Sequence, residues 1–344
     1  MSVLIAGITG QDGALLAKQL IDAGVAVVGT SRDAASADRR RLVALGIDEQ
    51  IKVVSMLPTD YRSVLHTLSR HAPREVYFLA GQTSVGVSFD QPVEAIESIA
   101  IGVLNVLEAI RFLDPTIRLF NAGSSECFGN SAGQAVDETA PFRPLSPYAV
   151  AKACAHNLVA NYRIAYGLFA CTGILFNHES ALRPGRFVTQ KIVRGARDIA
   201  LGRLKQLRLG NLEVIRDWGW APDYVAAKRL MLQRDQAEDL IIATGRSVSL
   251  EYFVERAFKN FGLDWRDYVV SDAQFMRPSD IAYGTANPAR AKSAIGWSAQ
   301  HDVDFVVDAM CEGARRRFFK LGKHGFIRLP GEGRGPRPMQ PINW

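Results

Sequence analysis

A run of glycines near the N-terminus restricts the fold of this chain more than any other feature. The segment "GITGQDG" follows the apolar run "SVLIA" and leads into the helical pattern "GALLAKQLIDAG". Glycines between a strand and a helix permit a tight turn and let backbone N–H groups approach a pyrophosphate at the helix N-terminus. The alternative is a plain strand-to-helix turn. We predict a dinucleotide-binding unit and assign its loop to the ligand: Gly7, Thr9, Gly10, Gln11, Asp12 and Gly13.

Apolar runs and helical patterns alternate through the first half of the chain. The runs "AVVGTS", "REVYFLAG", "IRLFNAGSS" and "FACTGILFN" predict strands, and "AIGVLNVLEAIRFL" and "SPYAVAKACAHNLVANYRIAYG" predict helices. Strands that are apolar on both faces and alternate with helices indicate a parallel sheet covered on both sides. We therefore predict an α/β fold: a Rossmann-type doubly wound parallel sheet with a smaller α/β C-terminal substrate-binding domain.

The character of the sequence changes after Asn177. Residues 178–210 carry many Arg and Lys and few acids, "DWGWAPDYVAAKRLMLQ" predicts a loop and a helix, and "SLEYFVERAFKNFGL" predicts an amphipathic helix. The expected divisions are a nucleotide-binding domain over 1–176, with 211–235 returning to it, a substrate-binding domain over 177–210 and 236–325, and a Gly/Pro-rich extended or disordered tail over 326–344.

Composition narrows the classes of partner. The chain has 344 residues, of which 48% are hydrophobic and 22% charged, as in ordinary globular proteins. No apolar run approaches the ~20 residues of a membrane span, and the N-terminus lacks signal-peptide features, so we expect a cytoplasmic protein without a membrane partner. The four cysteines form no CxxC pair and no His cluster has metal spacing, so we expect no metal. The net charge of +6 suits an anionic small molecule, and no nucleic-acid-binding signature accompanies it.

The end of the second predicted strand bears on the choice of dinucleotide. Arg32 comes directly after it and Asp33 follows. An acid at this point suits the ribose 2′-hydroxyl of NAD, whereas an arginine suits the 2′-phosphate of NADP. Because the arginine comes first, we favour NADP over NAD.

Reactive side chains follow the strand "IRLFNAG" and open the long helix. The strand end carries Ser124, Ser125 and Glu126, and Tyr148 and Lys152 lie one helical turn apart in "SPYAVAK". Doubly wound sheets bind ligands at the carboxyl ends of their strands. An ammonium beside a phenol lowers the phenol pKa, so we predict that the tyrosine is a general base for a substrate hydroxyl. The alternatives are a core tyrosine with a surface lysine and a helix-capping glutamate.

Five segments of the chain carry a family resemblance: "GITGQDG", "SSECFG", "SPYAVAK", "GILFNHES" and "RLGNLEVIRDWG". Together they resemble the GDP-mannose 4,6-dehydratases, extended short-chain dehydrogenase/reductases that act on sugar nucleotides. The first and third segments are shared by the whole superfamily, whereas "NHES" and "GNLEVIRDWG" are much narrower. The resemblance extends from residue 1 to about residue 320.

The resemblance implies an activity, the conversion of GDP-α-D-mannose to GDP-4-dehydro-6-deoxy-D-mannose and water. Tyr148, helped by Lys152 and Ser124, would take the proton from the sugar O4 while the C4 hydride passes to NADP+. Glu126 would then remove the C5 proton, the C6 hydroxyl would leave as water, and the hydride would return to C6. The reaction of a simple dehydrogenase does not remove the C5 proton, so the Glu126 carboxylate is the group that distinguishes a dehydratase.

Further contacts are also implied by the resemblance. For the cofactor these are Leu79, Ala80 and Gln82 at the nicotinamide ribose, with Tyr148, Lys152, His178 and Arg183; for the substrate they are Asn177, Lys191, Arg216, Arg277 and Asp280. Because family members are commonly dimers or tetramers, we expect a homodimer or homotetramer. The loop over residues 33–41 is expected near the neighbour's cofactor site.

Several positions depart from the family pattern and leave other activities open. Ser124 replaces a usual Thr, Gln190 a usual Arg, and Asp280 a usual Glu. One alternative is dehydration of a related GDP-sugar such as a GDP-heptose, and another is an NADPH-dependent 4-reductase of the 4-keto-6-deoxy product. A non-catalytic nucleotide sensor is disfavoured, because such proteins often lose the Tyr or the Lys.

Overall fold

The structure, a computed structural model, describes residues 2–321, and side chains as far as Arg315. The expected tail over 326–344 lies outside the described residues. The strands are β1 (Ser2–Ala6), β2 (Ala26–Ser31), β3 (Lys52–Ser55), β4 (Glu75–Phe78), β5 (Arg118–Ala122), β6 (Ala170–Leu175), β7 (Asn177–Glu179), β8 (Leu207–Leu209), β9 (Ile215–Trp220), β10 (Leu240–Ile242), β11 (Ser247–Ser249) and β12 (Val269–Ser271).

The α-helices connect these strands and cover their faces. They are α1 (Gln11–Asp22), α2 (Arg40–Ala44), α3 (Tyr61–His71), α4 (Val85–Asp90), α5 (Pro92–Ile96), α6 (Gly102–Leu113), α7 (Pro147–Tyr166), α8 (Val188–Ala200), α9 (Ala221–Leu232), α10 (Leu250–Asn260), α11 (Ala289–Ile295) and α12 (Val303–Leu321). A π-helical turn, Glu97–Ile101, leads into α6, and a 3₁₀ turn, Ser125–Phe128, follows β5. No helix in the described range is long and apolar enough to cross a bilayer.

The large sheet has the order β10-β6-β5-β4-β1-β2-β3, and all its strand pairs are parallel. Successive side chains of a strand point to opposite faces. Ile5 accordingly joins the apolar cluster that contains α1 and α9, while Leu4 joins the cluster that contains α3, α6 and α7. Both faces are covered, which confirms the predicted Rossmann-type doubly wound sheet.

Two smaller sheets lie beside the large one, β11-β9-β7 and β12-β8. Their core packs against α8, α10 and α12 through side chains such as Trp218, Phe253 and Val307. The prediction of a loop over residues 217–220 is wrong, because this segment is the last part of β9. Its residues are buried between two partner strands, so no polar alternation marked it as a strand.

The chain crosses between the two parts more than once. Helix α9 packs against the large sheet, whereas β9, directly before it, belongs to a small sheet. Strand β10 pairs with β6 at the edge of the large sheet, although we placed residues 236–325 in the smaller part. Its three residues are wholly buried and apolar, as an edge strand covered by helices requires. The remaining domain boundaries stay a prediction.

Candidate active site

A cleft of about 2340 Å³ opens at the carboxyl ends of the large sheet's strands. One side, here called the sheet-edge wall, consists of residues 7–13, 79–86 and 122–126 with Tyr148 and Lys152 of α7. The other side, here called the basic wall, consists of residues 177–194, 209–210 and 274–278. All the predicted site residues line this cleft except Arg216 and Asp280, which are treated below.

The glycine loop needs its glycines for steric reasons. Gly7 has a φ of +86°, and a Cβ there would lie 3.0 Å from the backbone of Leu79 and Ala80. A Cβ on Gly13 would lie 2.3 Å from the carbonyl oxygen of Gly7. No described side chain caps α1, so its first N–H groups face the cleft without a side-chain acceptor. A narrow cradle at a helix N-terminus is a geometry that suits a pyrophosphate.

Asp12 holds the start of α1 to the far side of the cleft. Its carboxylate accepts hydrogen bonds from Nζ of Lys228 and pairs with Nε2 of His178 at 2.8 Å. Burial raises the pKa of Asp12, but the two cationic groups outweigh it and hold the pKa well below its usual value. Lys228 is fully buried and Asp12 lines the cleft, so a buried ion pair stands directly behind the cradle.

His178 is tied to protein partners on both ring nitrogens. Nδ1 lies 2.8 Å from the carbonyl oxygen of Phe176, Nε2 lies at Asp12, and the ring stacks on Tyr224 with centroids 4.6 Å apart. The histidine lines the cleft but has no ring nitrogen left for a ligand. Its contribution in this structure is to orient Asp12.

The segment after β2 presents Arg32 to the cleft and engages the exposed Asp33 in a turn of its own. The Arg32 guanidinium is 78% exposed and lies 3.7 Å from Glu94. The Asp33 carboxylate accepts hydrogen bonds from the Ala35 N–H at 2.9 Å and the Ser36 hydroxyl at 2.6 Å. The arginine therefore lines the cleft, while the acid is engaged in its own turn.

The loop after β4 forms the middle of the sheet-edge wall. Leu79 and Ala80 line the cleft directly beneath Gly7. Gln82 is fixed by its own surroundings, since its side-chain amide donates to the carbonyl oxygen of Ser84 at 2.9 Å and its N–H donates to the Ser98 hydroxyl at 3.0 Å. The backbone of this loop is thus held against the cradle, where the sequence predicted cofactor contacts.

The 3₁₀ turn after β5 places three predicted groups together. Ser124 caps the turn, and its hydroxyl accepts a hydrogen bond from the Glu126 N–H at 3.3 Å. Ser124, Ser125 and Glu126 all line the cleft. Burial raises the pKa of Glu126, against the lowering effect of Arg216 and Arg277. A carboxylate whose pKa is raised by burial is a stronger base than one in water.

Tyr148 and Lys152 line the same wall, and burial is the largest influence on the pKa of each. Burial raises the pKa of Tyr148 well above its usual value, against a hydrogen bond with Ser124 that lowers it. The Lys152 ammonium donates to the carbonyl oxygen of Ala122 at 2.6 Å, and Nζ lies 5.8 Å from the centre of the tyrosine ring. Burial lowers the pKa of Lys152 to about 8. Our expectation that the lysine lowers the tyrosine pKa is wrong here, because desolvation is the larger effect.

Arg216 and Asp280 form a second layer behind Glu126. Arg216 is 8% exposed, and its Nη2 lies 3.0 Å from Oδ1 of Asp280. Arg277, which does line the cleft, lies 3.3 Å from the same oxygen. The two arginines lower the pKa of Glu126 and the aspartate raises it, so this cluster adjusts a pKa that burial raises.

The basic wall carries the remaining predicted substrate and cofactor contacts. Asn177 lines the cleft on β7. Arg183 pairs with the buried Glu179 at 3.1 Å and stacks over the ring of Phe187. Lys191 donates to the carbonyl oxygen of Arg208 at 2.7 Å and lies 3.6 Å from the centre of the Phe275 ring.

Three groups at the cleft were missed in the sequence. Lys228 pairs with Asp12 across 216 positions, and an interior lysine in the α9 pattern gave no signal of burial. Arg41 donates to the carbonyl oxygens of Thr9 and Leu182 and so joins the two walls. Arg194 lines the cleft from α8. The sequence showed Arg194 only as one of several arginines in the basic segment 178–210, so it could not be distinguished from the others.

The arrangement can perform proton transfers at two points of one ligand. The Tyr148 hydroxyl with Ser124 provides one proton-transfer group, and the Glu126 carboxylate provides another on the same wall. The glycine cradle lies on that wall too, and the cations lie opposite. A cleft with this layout suits two phosphate-bearing ligands that face each other.

Comparison with known proteins places this site in a family. The family model described as GDP-mannose 4,6 dehydratase matches residues 4–310. GDP-mannose 4,6 dehydratase 2 of Arabidopsis thaliana is 40% identical over 90% of this chain and 85% of its own length. GDP-mannose 4,6-dehydratase of Vibrio cholerae is 37% identical over 95% of this chain and 96% of its own. Among solved structures, DesIV, a dTDP-glucose 4,6-dehydratase of Streptomyces venezuelae with NAD and TYD bound, matches with a TM-score of 0.82 at 18% identity, over 93% of this chain and 98% of that one. The last likeness shows the fold.

Proposed function

The chain belongs to the GDP-mannose 4,6-dehydratase family, as its motifs predicted, and from this premise we propose how its own residues carry out the reaction. It is a sugar-nucleotide 4,6-dehydratase, a hydro-lyase that converts GDP-α-D-mannose to GDP-4-dehydro-6-deoxy-D-mannose and water. The observation that carries the proposal is the position of Glu126, on the same cleft wall as Tyr148 and Ser124.

The glycine loop and the neighbouring backbone would hold a nicotinamide dinucleotide. Its pyrophosphate would lie at Gly10, Gln11 and the start of α1, and its ribose and ring would lie along Leu79–Gln82 towards Lys152. When bound, the dinucleotide supplies a reversible oxidation at C4 and the return of the two electrons at C6. The cradle that a Cβ on Gly7 or Gly13 would fill is the structural reason for this placement.

Tyr148 and Ser124 would handle the proton of the sugar O4. Burial raises the pKa of Tyr148, so the phenol is protonated in this structure; to accept the O4 proton it would first lose its own, in the phenolate form that a nearby Lys152 ammonium would stabilise. The Ser124 hydroxyl already forms a hydrogen bond with the phenol of Tyr148. It would link that phenol to the sugar hydroxyl. Lys152, held at the Ala122 carbonyl oxygen, positions this pair and the ribose.

Glu126 would remove the C5 proton once C4 is a ketone. The adjacent carbonyl acidifies that proton, and a half-buried carboxylate with a raised pKa is a suitable base for it. The same group, once protonated, would give its proton to the C6 hydroxyl as it leaves as water, and one proton, equal to the one taken from O4, would return to C5 as C6 is reduced. Ser125 lies beside it in the 3₁₀ turn and lines the same region.

We favour NADP over NAD as the dinucleotide. Arg32 is exposed in the cleft, where a 2′-phosphate would find a cation, while Asp33 is engaged by Ala35 and Ser36 and is turned away from a 2′-hydroxyl. Titration of the purified protein with NADP+ and NAD+ tests this choice. Arg32→Gln is expected to weaken NADP+ selectively, and an equal loss for both dinucleotides would contradict it.

We also propose a homodimer or homotetramer in which residues 33–41 approach the neighbour's cofactor site. We further propose a division between a cofactor domain and a substrate domain, and a cytoplasmic location. Light scattering tests the oligomeric state, and a monomer would contradict it. Within one chain, Asp38 pairs with Arg40 on the surface, while Arg41 already contacts the cradle, so the loop borders the cofactor site on its own subunit.

Mass spectrometry of reaction mixtures tests the activity. The protein is incubated with NADP+ and a panel of GDP- and UDP-sugars that includes GDP-mannose and a GDP-heptose. Loss of one water from GDP-mannose with no net change at the nicotinamide absorbance band is the expected result. Stoichiometric consumption of NADPH with the 4-keto-6-deoxy sugar, and no dehydration, would instead identify a 4-reductase.

A further inference from the structure

The basic wall carries three cations without an ion-pair partner among the described residues. Within the described part of the chain, Arg186, Lys191 and Arg194 form no ion pair, although Arg183 beside them is paired with Glu179. Lys191 donates to a backbone carbonyl oxygen, and Arg186 reaches the Thr83 hydroxyl at 3.4 Å. Arg194 makes no hydrogen bond with any described residue. It is half-buried and lines the cleft.

The position of Arg194 is fixed by the chain around it. It lies three residues after Lys191 on α8, so the two side chains share one helix face. The loop before α8 lies against its guanidinium: a Cβ on Gly185 would lie 2.5 Å from Nη1 and 3.2 Å from Cζ. The glycine therefore leaves room for the guanidinium at the cleft surface, with its donors unsatisfied by protein.

An unpaired, half-buried guanidinium in a concave site is stabilised by an anionic ligand. Arginine offers a fork of N–H donors that matches phosphate oxygens, and unpaired cations that line a cleft together concentrate an anion there. The glycine cradle supplies backbone N–H groups to the dinucleotide pyrophosphate on the opposite wall. The cations of α8 are therefore available to the second diphosphate.

We propose that Arg194 is a substrate-binding residue that donates to the diphosphate of the nucleotide sugar, beside Lys191. The proposal rests on the proposed function, because that function provides a diphosphate on this side of the cleft. Arg194 thereby makes binding depend on the diphosphate more than on the base, so it favours nucleoside diphosphate sugars over the corresponding nucleosides.

Calorimetric titration of the full chain with GDP, guanosine and NADP+ tests the proposal. Arg194→Gln is expected to weaken GDP by about 10- to 100-fold, the range for a hydrogen bond to a charged group. Guanosine and NADP+ affinities are expected to stay at the wild-type level. Unchanged GDP affinity, a loss for NADP+ in its place, or an equal loss for GDP and guanosine would each overturn the proposal.

Two further variants separate a local effect from a general one. Arg197→Gln, on the same helix, removes an arginine that pairs with Asp198 and does not line the cleft, and it is expected to bind GDP as the wild type does. Gly185→Ala displaces the Arg194 guanidinium without removing its charge. It is expected to weaken GDP in the wild-type chain and to add nothing in the Arg194→Gln chain; additive losses would overturn the proposal.

The same titrations keep this inference apart from the proposed activity. If the wild type binds GDP with the expected dependence on Arg194 but does not dehydrate GDP-mannose, the activity is wrong and the binding role stands. If the wild type dehydrates GDP-mannose and GDP binding ignores Arg194, the activity stands and the binding role is wrong.

Discussion

The two walls of the cleft are built in different ways. The sheet-edge wall is mostly backbone and strand ends: a glycine cradle, a loop held under Gly7, and a 3₁₀ turn capped by Ser124. The basic wall is mostly long side chains that come from distant positions, as Lys191 of α8 packs over the ring of Phe275. The first wall is determined by local sequence, and the second by tertiary packing.

This difference indicates where chemistry and where selectivity lie. The proton-transfer groups are on the sheet-edge wall, where strand ends fix them to neighbouring strands. The cations that we propose to bind the anionic substrate are on the basic wall, where we expect a change of one side chain to alter affinity without disturbing the strands. Substitutions in the two walls should therefore affect different measurements.

The largest expected effect is on the sheet-edge wall. Tyr148→Phe removes the phenolic proton carrier and keeps the ring that packs in the core, so kcat for GDP-mannose is expected to fall about 10²- to 10⁴-fold, the range for general acid–base groups. Steady-state kinetics with mass-spectrometric detection measures it.

Tyr162→Phe is the matched control on the same helix. Its hydroxyl bonds Glu108 at 2.5 Å, away from the cleft, so kcat should stay near the wild-type value. Equal kcat values for the two variants would show that Tyr148 has no role in proton transfer.

The next effect concerns the buried ion pair of Asp12 with Lys228, which lies behind the glycine cradle. Lys228→Met leaves the Asp12 carboxylate with His178 and the Gln11 side-chain amide, and removal of one partner of a buried ion pair costs about 3–5 kcal/mol of unfolding free energy. Because the folded pKa of Asp12 is depressed, its contribution is present above about pH 4 and is lost as pH falls through the folded pKa. The difference in unfolding free energy between the wild type and the Lys228→Met variant should therefore become smaller in acid.

Urea unfolding at several pH values measures that difference. Lys18→Met is the control, because Lys18 forms an exposed i, i+4 pair with Asp22 on α1, and such pairs contribute about 0.2–1 kcal/mol. A Lys228 variant as stable as the Lys18 variant, or a difference that grows in acid, would contradict the account.

The cradle gives a smaller effect that is confined to cofactor binding. Gly13→Ala places a Cβ 2.3 Å from the Gly7 carbonyl oxygen, so the turn must open and the pyrophosphate contacts weaken. NADP+ affinity is expected to fall, while GDP affinity is retained. Gly86→Ala is the control, since its Cβ would meet no atom within 4 Å in the same cleft. Loss of NADP+ binding in both variants would argue against a steric cause.

The smallest effect is a shift of the pH profile of activity by Arg216, which lies behind Glu126. Arg216 lowers the pKa of Glu126, so Arg216→Gln is expected to raise that pKa and move the acid limb of kcat/KM to higher pH. Arg216→Lys keeps the charge and should keep the limb near its wild-type position. A limb that moves to lower pH in the Gln variant would contradict the assignment of Glu126.

The sequence predicted the sheet-edge wall because its signals are local. The order strand, glycine loop, helix is encoded within residues 2–22, and the reactive groups follow strand ends whose position the fold class predicts. The last residues of β9 were predicted as a loop, because a strand buried between two others has no alternating pattern. Strand β10 has only three residues, too few for a periodic signal.

The long-range ion pairs around the cleft and the pKa values of its groups could not be predicted from local sequence. The partners Asp12 and Lys228 are 216 positions apart, and Arg216 and Asp280 are 64 apart, so no local spacing connects them. The pKa of Tyr148 was expected to be lowered because the spacing shows the Lys152 neighbour but not the depth of burial, which raises it. A pKa depends on neighbouring charges and on burial. The sequence shows which residues carry charge, and only the packed structure shows how deeply each group is buried.

Rapid-quench mass spectrometry of the Glu126→Gln protein with GDP-mannose tests the central claim most directly. The account predicts that this variant binds GDP-mannose with wild-type affinity and releases water about 10²- to 10⁴-fold more slowly. Release of water by Glu126→Gln at the wild-type rate would show that another group removes the C5 proton.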